Sequence, residues 1–237
     1  MTHTLLLRLA GPLQAWGTQS RFSIRDTGQE PSKSGVIGLL CAALGAPRDD
    51  TATVHRLAAL RFGVRVEREG VMKKDFHTAQ NVAIASGGRP KSTEISDRWY
   101  LADAEFLAAL EGEDVGWLHT LQAALQAPRW QLSLGRKAFV PTAPVWLRDG
   151  VLAASLDDTL RHGQLWQTTR GWRKPETAPD TLRLVTDATP ETATEVRQDV
   201  PLSFAERRFA VRYVRTEFIA PPVGQDAILS HDSEGGA

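Results

Sequence analysis

The sequence has 237 residues, and its 28 basic and 28 acidic side chains give a formal net charge of zero. Hydrophobic residues make up 42% and charged residues 24%, which is typical of a globular chain with a sizeable core. This composition excludes wholly disordered, fibrous and membrane-spanning proteins. The single cysteine, Cys41, allows no internal disulfide and no cysteine-cluster metal site. We expect a cytoplasmic protein with no cofactor, no bound metal and no membrane contact.

The charge is unevenly distributed along the chain. Residues 1–100 carry 14 basic and 9 acidic side chains, a net charge of +5, whereas the remainder is net acidic. Arginine supplies 22 of the 28 cations, and its planar guanidinium suits phosphate and stacks on bases. The first half of the chain is therefore a candidate for binding nucleic acid, although a GC-rich genome would also enrich arginine.

The first elements are predicted from periodicity and end signals. Alternating leucines predict a strand over Thr4–Leu9, and residues 13–33 have the composition of a long irregular loop. A helix is expected over Ser34–Leu44, with Ser34 as its N-cap. A second helix is expected over Thr51–Leu60, because Asp49 and Asp50 suit a helix N-terminus.

A strand, a hairpin and an arm are predicted next. Arg61–Arg68 alternates as a strand, and Val71–Thr78 is expected to return beside it as a hairpin partner. Residues 79–96 are poor in large apolar side chains and predict a loop or an extended arm. Arg98–Phe106 is predicted to be a further strand.

A helix over Gly116–Ala127 and a strand over Trp130–Leu134 complete the order strand, helix, strand, strand, helix, strand. This order is typical of an α+β, ferredoxin-like or RRM-like domain, which we place at residues 1–140. A smaller β-rich C-terminal region is expected over residues 141–223. Its predicted elements are a helix over Leu156–His162 and strands over Leu182–Thr186 and Arg208–Ile219, and residues 224–237 are expected to form a disordered tail.

Two local patterns each leave two interpretations open. The small residues of Ser34–Gly38 suit either close helix packing or a phosphate cradle at a helix N-terminus, and packing is favoured. The loop over residues 13–33 mixes aromatic, amide and arginine side chains, a mixture that suits single-stranded nucleic acid. In that loop, Trp16 either contacts RNA or wedges the loop onto the sheet. Cys41 is expected in the core. The tryptophans of the periodic segments are also expected there, namely Trp99, Trp117 and Trp130.

Several ordered motifs resemble one known family. Leu7–Gly17 is similar to the opening of the CasD (Cas-five) family, whose members are subunits of Cascade, the type I-E CRISPR surveillance complex. Further blocks follow in the order of that family, namely Pro31–Leu40 with Leu44–Gly45 and Arg48–Asp50, Asp75–Thr78, Arg98–Phe106 and Leu134–Lys137. The resemblance covers roughly residues 4–147.

The resemblance implies a fold, a function and partners. The fold is a ferredoxin-like domain with an inserted β-hairpin thumb, expected at about residues 71–97. The function is that of a non-catalytic RNA-binding subunit that caps the 5′ handle of the CRISPR RNA in antiviral defence. The implied protein partners are the CasC backbone subunit and the CasA large subunit, and target DNA lies near the complex only indirectly.

Candidate RNA-binding residues follow from the matched motifs and from the basic arm. Those taken from the resemblance are Gln14, Trp16, Arg21, Arg25, Lys33, Ser34, His77, Arg98, Arg136 and Lys137. The basic arm adds four cations on physical grounds alone, namely Lys73, Lys74, Arg89 and Lys91. Arg136 has an alternative structural role, as the partner of an acidic neighbour.

Two other functions are weighed against this one. A related subunit of a sibling subtype cleaves RNA without metal by using tyrosine, lysine and histidine, for which the candidates are Tyr100, Lys74 and His77. The match is poor, because the sequence holds no adjacent lysine and histidine. The other possibility is a protein-interaction module whose basic surface has no function in RNA binding.

Overall fold

The computed structural model describes residues 1–18, 23–84, 86–163 and 179–222, and these form a mixed α+β structure rich in strands. The α+β class is confirmed. The strands are β1 (His3–Ala10), β2 (Leu13–Gln14), β3 (Ile24–Arg25), β4 (Arg61–Arg68), β5 (Val71–Val82), β6 (Lys91–Ala102), β7 (Glu105–Gly112), β8 (Trp146–Leu152), β9 (Leu182–Asp187), β10 (Glu195–Ser203) and β11 (Arg208–Ile219). The helices are α1 (Lys33–Leu44), α2 (Thr51–Ala58), α3 (Val115–Gln126) and α4 (Leu156–Asp158), and α4 continues into a π-helical turn over Thr159–Gly163.

Seven strands form one antiparallel sheet in the order β10-β11-β9-β4-β7-β1-β8. Its central strands follow the predicted order, with α1 and α2 between β1 and β4 and α3 between β7 and β8. A second, smaller sheet contains β2, β6 and β3, and β5 pairs with β6 beside them. The first sheet builds the core, and the second positions the candidate site.

The main core lies between the large sheet and helices α1, α2 and α3. Leu5, Leu7 and Leu9 of β1 are fully buried on this side, while Leu6 is buried in a smaller cluster on the opposite face. Because β1 is covered on both faces, its apolar residues run on without strict alternation. Gly35 of α1 lies against the ring of Trp16, where an added Cβ would be 2.8 Å from a ring carbon. The packing interpretation of the small residues is therefore supported.

The helix ends explain one error of the sequence prediction. The N-cap of α1 is Ser32, not Ser34, because the Ser32 hydroxyl accepts a hydrogen bond from the Gly35 N–H at 3.2 Å. Gly45 ends the helix in the left-handed conformation, with φ of 73°. Asp50 caps α2 by accepting from the Thr53 N–H at 3.0 Å, as predicted.

The hairpin prediction was wrong in its pairing. Val71–Thr78 does not return beside β4, because β7 and β9 occupy both edges of that strand. Strand β5 pairs instead with β6, and the two form a long hairpin. The predicted strand Arg98–Phe106 also divides at Asp103, whose φ of 59° turns the chain from β6 into β7 of the other sheet.

The predicted strand Trp130–Leu134 is not a strand. The N–H groups of Arg129 and Trp130 donate to the carbonyls of Ala43 and Ala42 at the end of α1, which takes them away from any sheet. Trp130 is 50% exposed, so its expected place in the core was also wrong. The fourth strand of the central set is β8, which the sequence analysis missed together with β10.

The C-terminal strands β9, β11 and β10 extend the large sheet and are tied to α1 by a buried ionic network. The Lys33 N–H donates to Asp199 at 2.8 Å, and the Lys33 ammonium donates to Asp187 at 3.1 Å. Arg212 donates to Asp199 at 2.6 Å and to Asp187 at 2.7 Å. Burial disfavours the charged Arg212, but hydrogen bonds and the charges of both carboxylates outweigh it and raise the pKa of that guanidinium.

In the part of the chain that the structure describes, no helix is long and apolar enough to cross a membrane. The same residues hold no cluster of three or more His, Cys, Asp or Glu side chains suited to a metal ion.

The buried network predicts a large loss of stability on removal of Arg212. Arg212→Met keeps most of the side-chain volume but leaves two carboxylates without their guanidinium, which we expect to lower the free energy of unfolding by about 3–5 kcal/mol. Arg208→Met on the same strand is the control, because Arg208 is 63% exposed and pairs with exposed Glu206. Its loss should cost less than about 1 kcal/mol in urea denaturation. Equal losses for the two variants would contradict the role assigned to the network.

The core position of Cys41 predicts low thiol reactivity. Burial, with a smaller effect from the charge of Asp50, raises the pKa of this thiol to about 11. Because the thiolate is the nucleophile, we expect slow reaction with a disulfide reagent at pH 8 in the folded protein and fast reaction after unfolding. Fast reaction of the folded protein would show that Cys41 is not in the core.

Candidate nucleic-acid interface

A cavity of about 330 Å³ lies where the small sheet meets two loops. Three of the residues that line it are the predicted RNA contacts Arg25, Arg98 and Arg136. They come from β3, from β6 and from the loop before β8, so the fold brings together cations that are far apart in the sequence. The rest of the lining is Ala15, Gly17, Asp26 and Gly135.

The three arginines lie on segments that backbone contacts join. Strand β3 pairs in parallel with β6, and Arg25 is the register partner of Arg98. The Arg136 guanidinium donates to the Trp99 carbonyl at 2.7 Å and reaches the Arg25 carbonyl at 3.4 Å. Arg136 is therefore tied to both strands, and the acidic partner considered for it is replaced by two carbonyls.

The cavity carries an excess of positive charge. Burial is the main cause that lowers the pKa of Arg136, and the neighbouring charges of Arg98 and Arg25 add to it. Asp75 and Asp26 act in the opposite direction without reversing the shift. An anion bound between the guanidiniums would relieve this repulsion, and phosphate matches their planar donors.

Gln14 and Trp16 lie beneath the cavity rather than on its surface. The Gln14 amide donates to the Leu9 carbonyl at 3.1 Å and to the Ala104 carbonyl at 2.7 Å, and its oxygen accepts from the Trp16 indole at 3.0 Å. Both side chains are at most 1% exposed. The RNA contacts predicted for them are corrected to a structural role, and for Trp16 the wedge interpretation fits.

Two glycines allow the segments around the cavity to cross closely. Gly135 has φ of 90°, and an added Cβ would be 1.7 Å from the Ala15 carbonyl oxygen. The Ala15 N–H also donates to the Leu134 carbonyl at 3.1 Å, so the two segments are joined at this point. At Gly17, an added Cβ would be 2.5 Å from a carboxylate oxygen of Asp26. The crossing leaves room for glycine only.

The remaining cations predicted on the arm lie along the β5–β6 hairpin, outside the cavity. Lys91 is seven strand residues from Arg98, about 23 Å away at the usual rise per residue. Its ammonium pairs with Glu94 at 2.9 Å, and that of Lys74 pairs with Asp97 at 3.4 Å. All the arm residues named from the sequence are exposed, namely Lys73, Lys74, His77, Arg89 and Lys91.

The three residues considered for RNA cleavage are not brought together. Tyr100 is paired with Lys73 and lies on the same hairpin face as His77. His77 is four residues beyond Lys73 along β5, so it is about 13 Å from Tyr100. Lys74 lies on the opposite face, because side chains alternate along a strand. Tyr100 packs instead against Phe139, with ring centroids 6.1 Å apart.

The other predicted site residues have separate positions. Lys33 is 5% exposed and is held in the ionic network with Asp187, so its predicted RNA contact is corrected to a structural ion pair. Ser34 is half-buried in the first turn of α1, and Lys137 is exposed beside Arg136. Arg21 lies outside the described residues. Sequence reasoning missed Asp26, although its place directly after Arg25 was a signal available for it.

Comparison with known proteins now identifies the family. The model of the family described as CRISPR-associated protein (Cas_Cas5) matches residues 4–215. The chain belongs to the Cas5 family. The match confirms the resemblance seen in the motifs, and it extends well beyond residue 147.

Individual relatives support the assignment of this chain to the Cas5 family. The Cascade subunit CasD of Escherichia coli (strain K12) is 37% identical in an alignment of 166 residues, and the match covers 62% of this chain and 71% of CasD. A crystal structure of a Cas protein superposes with a TM-score of 0.73 at 42% identity, covering 93% of this chain and 98% of that one. A chain of a CRISPR RNA-guided surveillance complex superposes with a TM-score of 0.77 at 37% identity, with 94% and 95% covered.

The close crossing at the cavity predicts that Gly135 cannot be replaced. Gly135→Ala places an alanine in the left-handed backbone region and makes its Cβ clash with the Ala15 carbonyl. We therefore expect the free energy of unfolding to fall by about 3 kcal/mol or more. Gly87→Ala is the matched control, since Gly87 has φ of 79° with nothing within 4 Å of an added Cβ. It should cost about 1–2 kcal/mol. Urea denaturation measures both, and similar losses would show that the crossing is not tight.

Proposed function

We propose that this Cas5-family chain is a non-catalytic, RNA-binding subunit of a Cascade-type CRISPR complex, and that it caps the 5′ handle of the CRISPR RNA. The observation that carries the proposal is the cavity in which Arg25, Arg98 and Arg136 converge from three chain segments. The likeness to CasD and to a chain of an RNA-guided surveillance complex also supports the proposal.

The geometry suits a phosphate of single-stranded RNA. Each guanidinium presents a planar set of donors that matches phosphate oxygens, and Arg136 is already fixed in place by the Trp99 carbonyl. Preorganised donors bind an anion without a further loss of side-chain freedom. Since the positive charges of Arg98 and Arg25 act against that of Arg136, phosphate binding also removes a repulsion.

The fold supports a more detailed assignment within this proposal. The central strand order β4-β7-β1-β8, with helices between β1 and β4 and between β7 and β8, is consistent with a ferredoxin-like domain. We assign the β5–β6 hairpin as the thumb, in agreement with the segment 71–97 expected from the sequence. The first domain was expected to end near residue 140, and because β8 pairs with β1 we extend it to Leu152.

The hairpin supplies the second part of the proposed RNA surface. Its exposed cations lie beyond the cavity, from Lys73 near its base to Arg89 at its tip. They would follow the phosphates of RNA that leaves the cavity. We propose CasC and CasA as the neighbouring subunits and the cytoplasm as the location. With the first domain extended to Leu152, the C-terminal region expected over residues 141–223 is reduced to residues 153–223. The tail predicted over residues 224–237 lies outside the described residues.

The nuclease alternative finds no support in the geometry, since Tyr100, Lys74 and His77 do not converge. The test of the proposed function is a titration of the purified protein with labelled repeat-derived 5′-handle RNA. A scrambled RNA and the DNA equivalent are the comparisons, at two salt concentrations, and the same samples are run on a denaturing gel. The proposal predicts tight, RNA-selective and salt-sensitive binding with the RNA intact. Cleaved RNA, or equal affinity for all three nucleic acids, would contradict it.

The role of the cavity is tested by removing one of its arginines. We expect Arg98→Ala to weaken handle binding about tenfold and to reduce the log–log salt slope by about 0.7, because one phosphate contact is lost. Arg208→Ala is the control, since this exposed arginine lies on β11 and pairs with Glu206. It should change neither quantity. If Arg98→Ala keeps the affinity and the slope of the parent, the cavity does not bind phosphate.

A further inference from the structure

The small sheet has two faces of different chemistry. Arg25 and Arg98 are register partners, and both line the cavity on one face. Because side chains alternate along a strand, the next row lies on the opposite face. In that row Ile24 of β3 and Phe76 of β5 are the register partners of Asp97. We call this opposite side the outer face, and its residues are Ile24, Met72, Lys74, Phe76, Ile95, Asp97 and Trp99.

The outer face exposes several large apolar side chains. Phe76 is 63% exposed, Ile24 56%, Ile95 49% and Met72 43%. Trp99 is half-buried beside them. Apolar side chains gathered on one exposed surface are typical of a surface that contacts a partner. The outer face therefore needs an occupant.

The charges on the outer face favour an anionic occupant. The Lys74 ammonium lies 5.9 Å from the centroid of the Trp99 ring and forms an exposed ion pair with Asp97 at 3.4 Å. An exposed ion pair contributes little to stability, so Lys74 can turn to a phosphate at small cost. A protein occupant would instead bury this ion pair within its apolar contact, which costs desolvation of both charges.

The edge of β5 connects the outer face with the cavity. Strand β5 pairs with β6 on one side, and no strand in the described ranges pairs with its other side. Lys73 and Lys74 are neighbours on this strand and project to opposite faces. A strand of RNA that leaves Arg98 can thus pass Lys73, cross the edge and meet Lys74 beside Phe76.

We propose that the outer face is a stacking platform for bases of the RNA that leaves the cavity. A base lies on the Phe76 ring, and Lys74 contacts its phosphate. Single-stranded RNA is bound in this way elsewhere, by aromatic side chains under the bases and cations along the backbone. The inference rests on the proposed function, because the RNA reaches the outer face from the cavity. It adds an aromatic contact to the cations already assigned.

The test uses 5′-handle RNA extended at its 3′ end by a short run of uridines. Each uridine in turn is replaced by 2-aminopurine, a fluorescent base that is quenched when it stacks on an aromatic ring. Binding should quench one position. Phe76→Leu keeps an apolar side chain but removes the ring, so the quenching at that position should disappear. The affinity should fall about tenfold, within the range for loss of one stacked base.

An abasic RNA and a control variant connect this loss to stacking. An abasic site at the quenched position removes the base and keeps the phosphate, so the parent protein and Phe76→Leu should bind this RNA equally well. Phe218→Leu is the matched control, because Phe218 is 68% exposed on β11 of the large sheet. It should match the parent protein with every RNA.

Three results would overturn the inference, and a fourth would overturn the proposed function with it. If no position is quenched while Arg98→Ala weakens binding, the cavity binds RNA but no base stacks on the outer face. If Phe76→Leu weakens intact and abasic RNA equally, Phe76 acts only through the shape of the hairpin. If it leaves RNA binding unchanged but prevents assembly with other Cascade subunits, the occupant is a protein. If Arg98→Ala leaves every affinity unchanged, RNA does not occupy the cavity and the proposed function fails.

Discussion

The side chain of Gln14 holds together the segments on which the candidate site depends. Its amide donates to the carbonyls of Leu9, near the end of β1, and Ala104, just before β7, while its oxygen accepts the indole N–H of Trp16. Because Gln14 is fully buried, each of these groups would lose a buried hydrogen bond if the side chain were removed. This contact fixes the loop that follows β2. The close crossing with Gly135 and the position of Asp26 both depend on that loop.

The two sheets have separate tasks in this arrangement. The large sheet and its helices form the core, and the buried network around Arg212 joins the C-terminal strands to the start of α1. The small sheet projects from that core, with the cavity at its base and the β5–β6 hairpin extending away from it. Backbone pairing places Arg25 beside Arg98, and two carbonyls hold the Arg136 guanidinium in place, which lowers the cost of ordering that side chain on binding.

Local pattern was sufficient where an element is determined by its own residues. The strands β4 and β11 were predicted with their bounds, and family motifs named Arg98 and Arg136, which the structure brings to one cavity. Predictions from local sequence pattern were wrong where a distant segment of the chain determines the structure. Strands β7 and β9 occupy both edges of β4, where the hairpin was expected to return, and Asp187 and Asp199 hold Lys33 in the core. Gln14 and Trp16 have side chains suited to RNA as well as to a polar core, and the fold alone shows which applies.

The central claim is that RNA binds in the cavity formed by Arg25, Arg98 and Arg136. The most direct measurement is ultraviolet cross-linking of the protein to 4-thiouridine-substituted 5′-handle RNA, followed by mass spectrometry of the cross-linked peptides. We expect cross-links in peptides that contain these arginines and in the β5–β6 hairpin. Cross-links concentrated instead on the exposed face of β10 and β11, around Val196 and Val211, would contradict it.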